Sequence, residues 1–263
     1  MRRKSSKARK PLRNNRVKRA ISRKSLRRQI ATQIRRQAET KEQKITAERY
    51  LLWGPTAAAF NTRNIFATSD ILATISQGTG QGDRIGNKVS LVNFFFSFIV
   101  WARATNLGGP SLPIDLCMYV FSDKLNPTSQ LSLNIQNSIA GITQPYFYEA
   151  GNATTGANLT ITDQLLRVNG DRFTLHKKKI FKISTSTVAN WSNNDYKASR
   201  KFKINLAKYM PKLVQWNDAG VLTSRQVWVM FLPVIANDDT STVFANSDLV
   251  GIGFDYQVKW KDM

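Results

Sequence analysis

The chain has 263 residues, a formal net charge of +22, one cysteine and one histidine. Its length suits one large β domain or two small ones. Cys117, alone in an apolar run, excludes a disulfide framework, and with His176 as the only other soft ligand no zinc site of three or four N/S donors can form.

The charge is concentrated at the N-terminus, where residues 1–36 hold 16 Lys or Arg and no Asp or Glu. These are Arg2, Arg3, Lys4, Lys7, Arg9, Lys10, Arg13, Arg16, Lys18, Arg19, Arg23, Lys24, Arg27, Arg28, Arg35 and Arg36. Residues 37–49 balance, and residues 50–263 carry 20 basic against 14 acidic residues. Residues 1–24 have too little apolar content and too much like charge to bury a core, so they are expected to be disordered alone. From Ser25 a helical period begins, with Leu26, Ile30, Ile34 and Ala38 four apart and Ser25 placed to cap. The stripe Leu26, Ile30 and Ile34 fits docking on the chain's own domain, or a helix that self-associates between arms or orders on nucleic acid. "TKEQ" at Thr40 to Gln43 matches a capping box and predicts a second helical piece through Ile45 to about Leu52. The arm is therefore expected over 1–49, disordered to 24 and partly helical from 25.

Nothing at the N-terminus has the apolar core of a signal peptide. No apolar stretch reaches the roughly 18 residues of a membrane span, so no membrane insertion is expected. Residues 50–88 read as a polar linker ending in "GTGQGDRIGNK", residues 78 to 88. That stretch fails as a phosphate loop. Gly82 and Gly86 are one residue too close for the P-loop spacing, Asn87 separates Gly86 from Lys88, and G-x-G-x-x-G meets Asp83 or Ile85 at its third glycine. The run that follows, "KVSLVNFFFSFIVWA", is β-branched and aromatic, so the loop enters a strand and lacks the helix N-terminus of an anion site.

Strands are predicted at Lys88–Ala102, Ile114–Ser122, Arg172–Ser186, Lys201–Leu206, Arg225–Ile235 and Val250–Lys261, with "LNIQNSIAGI" and "TITDQLLRV" as weaker ones. Long polar loops separate them. The fold class is all-β over 89–263, a single jelly-roll sandwich of two antiparallel sheets preceded by the basic arm.

Catalytic patterns are absent. G-x-S-x-G and H-E-x-x-H do not occur, and "NDD" at Asn237 to Asp239 reads as a solvated turn. The lysines after His176 should lower its protonation. No enzyme activity, metal or cofactor is expected. The binding signal is the arm, a polycation suited to phosphates rather than base edges. Within the body "HKKKIFK" and "KASRKFK" lie on predicted strands, with Lys177 and Lys179 on one sheet face and Lys178 on the other. Trp101, Trp191, Trp216, Trp228 and Trp260 are expected mostly in the core.

The arginine-rich arm, "GTGQGDRIGNK" entering a long strand, "GDRFTLHKKKIFKI" with "KFKINL", then "VWVMFLP" and "GFDYQVKWKD" together resemble capsid proteins of small circular Rep-encoding single-stranded DNA viruses. The resemblance runs in order over most of the chain, carried chiefly by Arg84 to Lys88 and by Lys259 to Asp262. It implies a jelly roll assembling with copies of itself into the smallest icosahedral shell (T=1), with the arm on the genome, single-stranded DNA rather than RNA. It also implies a virion protein that reaches the host nucleus through an import receptor reading the arm. In that frame the glycine-rich loop is a hinge before the first strand, and Arg84 and Lys88 join Lys177 and Lys179 as further nucleic-acid candidates. A coat protein of a small RNA or satellite virus, and a non-viral nucleic-acid-binding protein with a basic tail, are the alternatives.

Overall fold

A strand that buries one face alternates apolar and polar residues, and the run from Lys88 to Ala102 does so along most of its length. In the computed structural model it is the third of nine strands: β1 (Thr40–Leu52), β2 (Ile65–Ala67), β3 (Lys88–Ala102), β4 (Pro113–Asp123), β5 (Phe173–Ser184), β6 (Ser199–Asn205), β7 (Leu213–Gln215), β8 (Trp228–Ile235) and β9 (Val250–Asp262). A five-residue helix, α1 (Thr68–Leu72), follows β2, and 3-10 turns occupy Ile161–Leu165 and Leu206–Lys208. The structure describes residues 25–26, 28–30, 39–52, 64–80, 82–102, 113–124, 147–149, 161–184, 199–235 and 250–263. The weaker strand "LNIQNSIAGI", Trp191 and most of the arm lie outside them.

The strands form two antiparallel sheets, one ordered β1-β9-β3-β6 with β7 beside β3, the other β2-β8-β4-β5. The expected all-β sandwich is what forms. Leaving β7 aside, the eight strands pair first with last, second with next-to-last and so inward, like a long hairpin ladder. Successive rungs of that ladder fall alternately in the two sheets.

Phe94, Phe96, Phe98 and Val100 of β3 and Ile252, Phe254, Tyr256 and Val258 of β9 meet Leu116, Met118, Val120, Val229 and Phe231 from the facing sheet. A bulge between Leu91 and Asn93 shifts the register and keeps Val89 and Leu91 inward as well as Phe94. The sheet β2-β8-β4-β5 is covered on its other face too, where Phe147, Tyr148 and Phe173 pack on Cys117, Tyr119, Phe121 and Trp228. Burial on both sides explains why β8 reads "WVMFLPVI" without alternation. The first sheet has no such second cluster among the described residues.

Several expectations need correction. Residues 40–52 are not helical; they form β1, paired antiparallel to β9 from Thr40–Lys261 to Leu52–Val250. Here tertiary pairing overrides a local capping pattern. The compact body therefore begins at Thr40, with residues 1–39 a separate unit. The segment 50–88 read as linker holds the end of β1, all of β2 and α1. "TITDQLLRV" is a 3-10 turn at Ile161–Leu165 followed by an isolated bridge from Val168 to Tyr148. The other six predicted strands form within a few residues of their expected ends.

Candidate nucleic-acid interface

Of the arm, the structure describes Ser25, Leu26, Arg28, Gln29 and Ile30, which are helical. Leu26 and Ile30 are 55% and 47% exposed on one helix face. Ile34 and the arm's other basic residues (Arg2 to Lys24, Arg27, Arg35 and Arg36) lie outside the described residues.

The glycine-rich loop is no hinge before the first strand. It leads into β3 and is fastened at several points. The Asp83 carboxylate accepts from the Ser76 hydroxyl and from the Gly80 N–H. A Cβ at Gly78 or Gly80 would sit 2.4 or 2.8 Å from Asp83 Oδ2, so glycine is what lets the carboxylate come this close. These hydrogen bonds hold the Asp83 carboxyl below the usual carboxylate range. Lys41 of β1 donates to the Asp83 carbonyl at 2.6 Å and pairs with Asp262 at 3.0 Å. Arg84, only 3% exposed, donates to the Gly86 carbonyl and the Asn87 side chain and lies 4.7 Å from the Trp216 ring centroid. Its charge is spent inside the loop, which removes it as a nucleic-acid contact. Lys88 is exposed at the start of β3.

On β5, Lys177 and Lys179 both lie over Phe202, at 5.1 and 3.8 Å, while Lys178 lies over Tyr119. The expected division of faces is present. Lys177 and Lys179 are half-buried. His176 stacks on Tyr209 and hydrogen-bonds Ser122 at 2.8 Å; burial first, and then the Arg225 charge, lower its pKa. The cause is thus not the lysine run. Cys117 is buried among Tyr119, Met230 and Leu232, and burial pushes its thiol up to about 12. Among the described residues no group of three or more His, Cys, Asp or Glu side chains could hold a metal ion.

The feature the sequence did not disclose is the outer face of β1-β9-β3-β6. Register sets it out in rows. Lys44, Gln257 and Phe95 form one row. Asp255, Ser97 and Lys203 form the next, opposite the bulge in β1. Arg49, Gly253, Ile99 and Lys201 form the third, and Leu51, Gly251, Trp101 and Ser199 the fourth. Small residues in the middle of this face leave an open depression of about 550 Å³. Lys44 and Arg49 stand along one wall, Lys201 and Lys203 along the other, and all four are exposed. The walls are three strand spacings apart, about 14 Å. Lys203 Nζ sits 4.1 Å from the Phe95 ring centroid. The Trp101 indole lies flat across β9: a Cβ at Gly251 would fall 2.3 to 2.6 Å from three of its ring atoms.

Beyond the end of the trough, Glu42 binds Gln257, Lys44 and Lys259 at 2.7, 3.0 and 3.1 Å. The hydrogen bond from Gln257, then those from Lys44 and Lys259, lower its pKa from 4.5 to about 2. The unfolded chain therefore takes up this proton first, so the stabilisation is complete above pH 4.5 and disappears as pH falls toward 2. Thermal unfolding of the parent and of Glu42→Gln should differ at neutral pH and converge across that window. A constant difference down to the acid limit would contradict the assignment.

No protein-family model and no curated protein matches the chain.

Proposed function

We propose that this chain is a viral shell protein that assembles with copies of itself and packages single-stranded DNA through its basic arm. The carrying observation is an arm with 16 cationic and no acidic residues in 36, ahead of an all-β sandwich. The sandwich of two antiparallel sheets supports it, since double-sheet folds of this kind, the jelly roll among them, are common in viral shells. The resemblance to capsid proteins of circular Rep-encoding viruses points the same way. In this reading the shell is the smallest icosahedral one, and the arm also carries the chain into the host nucleus.

The division of labour follows from charge. A polycation without acidic neighbours binds phosphates in any sequence, as packaging a whole genome requires. The body, with a surplus of only seven charges over residues 40–263, is free to make protein contacts. Purified full-length protein should sediment as megadalton particles and show closed isometric shells by electron microscopy. Material protected inside should be degraded by a DNase specific for single strands after the shells are opened, and not by RNase. Monomers or dimers at every salt and pH would overturn the proposal, and RNase-sensitive contents would move it to an RNA virus.

A further inference from the structure

From the rows on the outer face of β1-β9-β3-β6, we infer that the trough is a second single-strand nucleic-acid site, which holds the strand with its bases on the floor and its phosphates at the walls. The inference rests on the reading of this chain as a nucleic-acid packager and adds a site distinct from the arm. Four exposed cations in two facing pairs, Lys44 with Arg49 and Lys201 with Lys203, are spaced to reach phosphates on either side of one strand, Lys44 exchanging its Glu42 partner for a phosphate. The walls, three strand spacings or about 14 Å apart, leave ample room for a single strand between them.

The floor suits bases. Gly251 and Gly253 remove side chains from β9 where Trp101 and Ile99 of β3 lie alongside. The Trp101 indole lies over Gly251 in the row beyond the lining, so the floor beneath the bases is Ser97, Ile99 and Gly253. Among the described residues the one carboxylate lining the depression is Asp255, which is exposed and has no ion-pair partner there. A lone carboxylate between cationic walls repels phosphate and accepts from amino groups, as Asp does from cytosine N4. The floor therefore favours cytosine, whose exocyclic group donates, over thymine, whose O4 only accepts.

The test uses the full-length chain with fluorescent oligodeoxycytidine and oligothymidine over a salt series. The variant Lys44→Ala/Arg49→Ala/Lys201→Ala/Lys203→Ala should flatten the slope of log affinity against log salt by about 3, from about 0.7 per lost phosphate contact. A charge-matched control, Lys178→Ala/Lys182→Ala/Lys208→Ala/Lys212→Ala, should leave the slope unchanged. Separately, Asp255→Ala should lower the cytidine-to-thymidine affinity ratio about fivefold or more. Circular dichroism melting confirms that each variant is folded. Equal slopes in the two quadruple variants would overturn the trough while leaving the arm reading intact, and an unchanged base ratio would overturn the bases-inward orientation. Failure of the unmodified chain to bind either oligonucleotide would overturn the packaging reading itself.

Discussion

Removing residues 1–36 is expected to abolish most single-stranded DNA binding while leaving the body folded. The segment contributes 16 cations, and the body begins its own strand pairing only at Thr40. If half of these charges engage phosphates, the arm alone sets a salt slope of roughly −5 to −6 per subunit. Affinity would then fall about a thousandfold between 50 and 200 mM salt. Fluorescence anisotropy with a labelled single strand measures both quantities. The truncated protein should keep only a shallow slope of about −3, the part expected of the four trough cations. In a chain with Arg replaced by Lys throughout the arm the slope should stay as it is, because counterion release counts charges. Undiminished affinity and slope after truncation would place the genome contacts on the body.

The second large effect is on stability. Phe96 has no exposed surface and lies against five aromatic rings, Phe66, Phe98, Phe231, Phe254 and Tyr256, the last stacked at 4.8 Å. These rings come from both sheets, so no single neighbour can move to fill the space. Phe96→Ala is expected to cost about 3–5 kcal/mol, a large part of the roughly 5–15 kcal/mol that holds a domain together. Phe95→Ala, one residue along on the half-buried outer face, should cost clearly less. Urea unfolding with an unchanged denaturant dependence would report both. Equal losses at the two positions would mean that the register of β3 is wrong.

The legibility of this fold from sequence follows physical reasons that differ from strand to strand. β3 was readable to the residue because its inner face is bulky and apolar from Val89 to Val100. β1 was not, because three of its inward positions near the sheet end are Lys41, Gln43 and Ile45 rather than an apolar run. Lys41 is committed to Asp83 and Asp262, and Gln43 to Thr74, partners 31 to 221 residues away that no local pattern reveals. β2 and β7 have three residues each, too few for any periodicity. The glycine-rich loop showed what it was not, since its failure as a phosphate site needed only spacing and context. Its fastening by Asp83 and Arg84 needed the structure. The trough was half visible: Lys201 and Lys203 stand in "KASRKFK", but Lys44, Arg49 and Asp255 reach them only through pairing across four strands.

The place of β9 between β1 and β3 bears on the timing of folding during synthesis. β9 pairs along its length with both neighbours, and without it β1 has no partner among the described strands. The sheet carrying the trough therefore cannot close until residues 250–262 have left the ribosome. Until then β1, β3 and the cationic arm ride on an incompletely folded nascent chain, and pairing partners some 210 residues apart must find each other late. Among the described strands the last to be made is thus the one that joins β1 to β3, and the cations of β1 and β6 face one another across this sheet only once it has inserted.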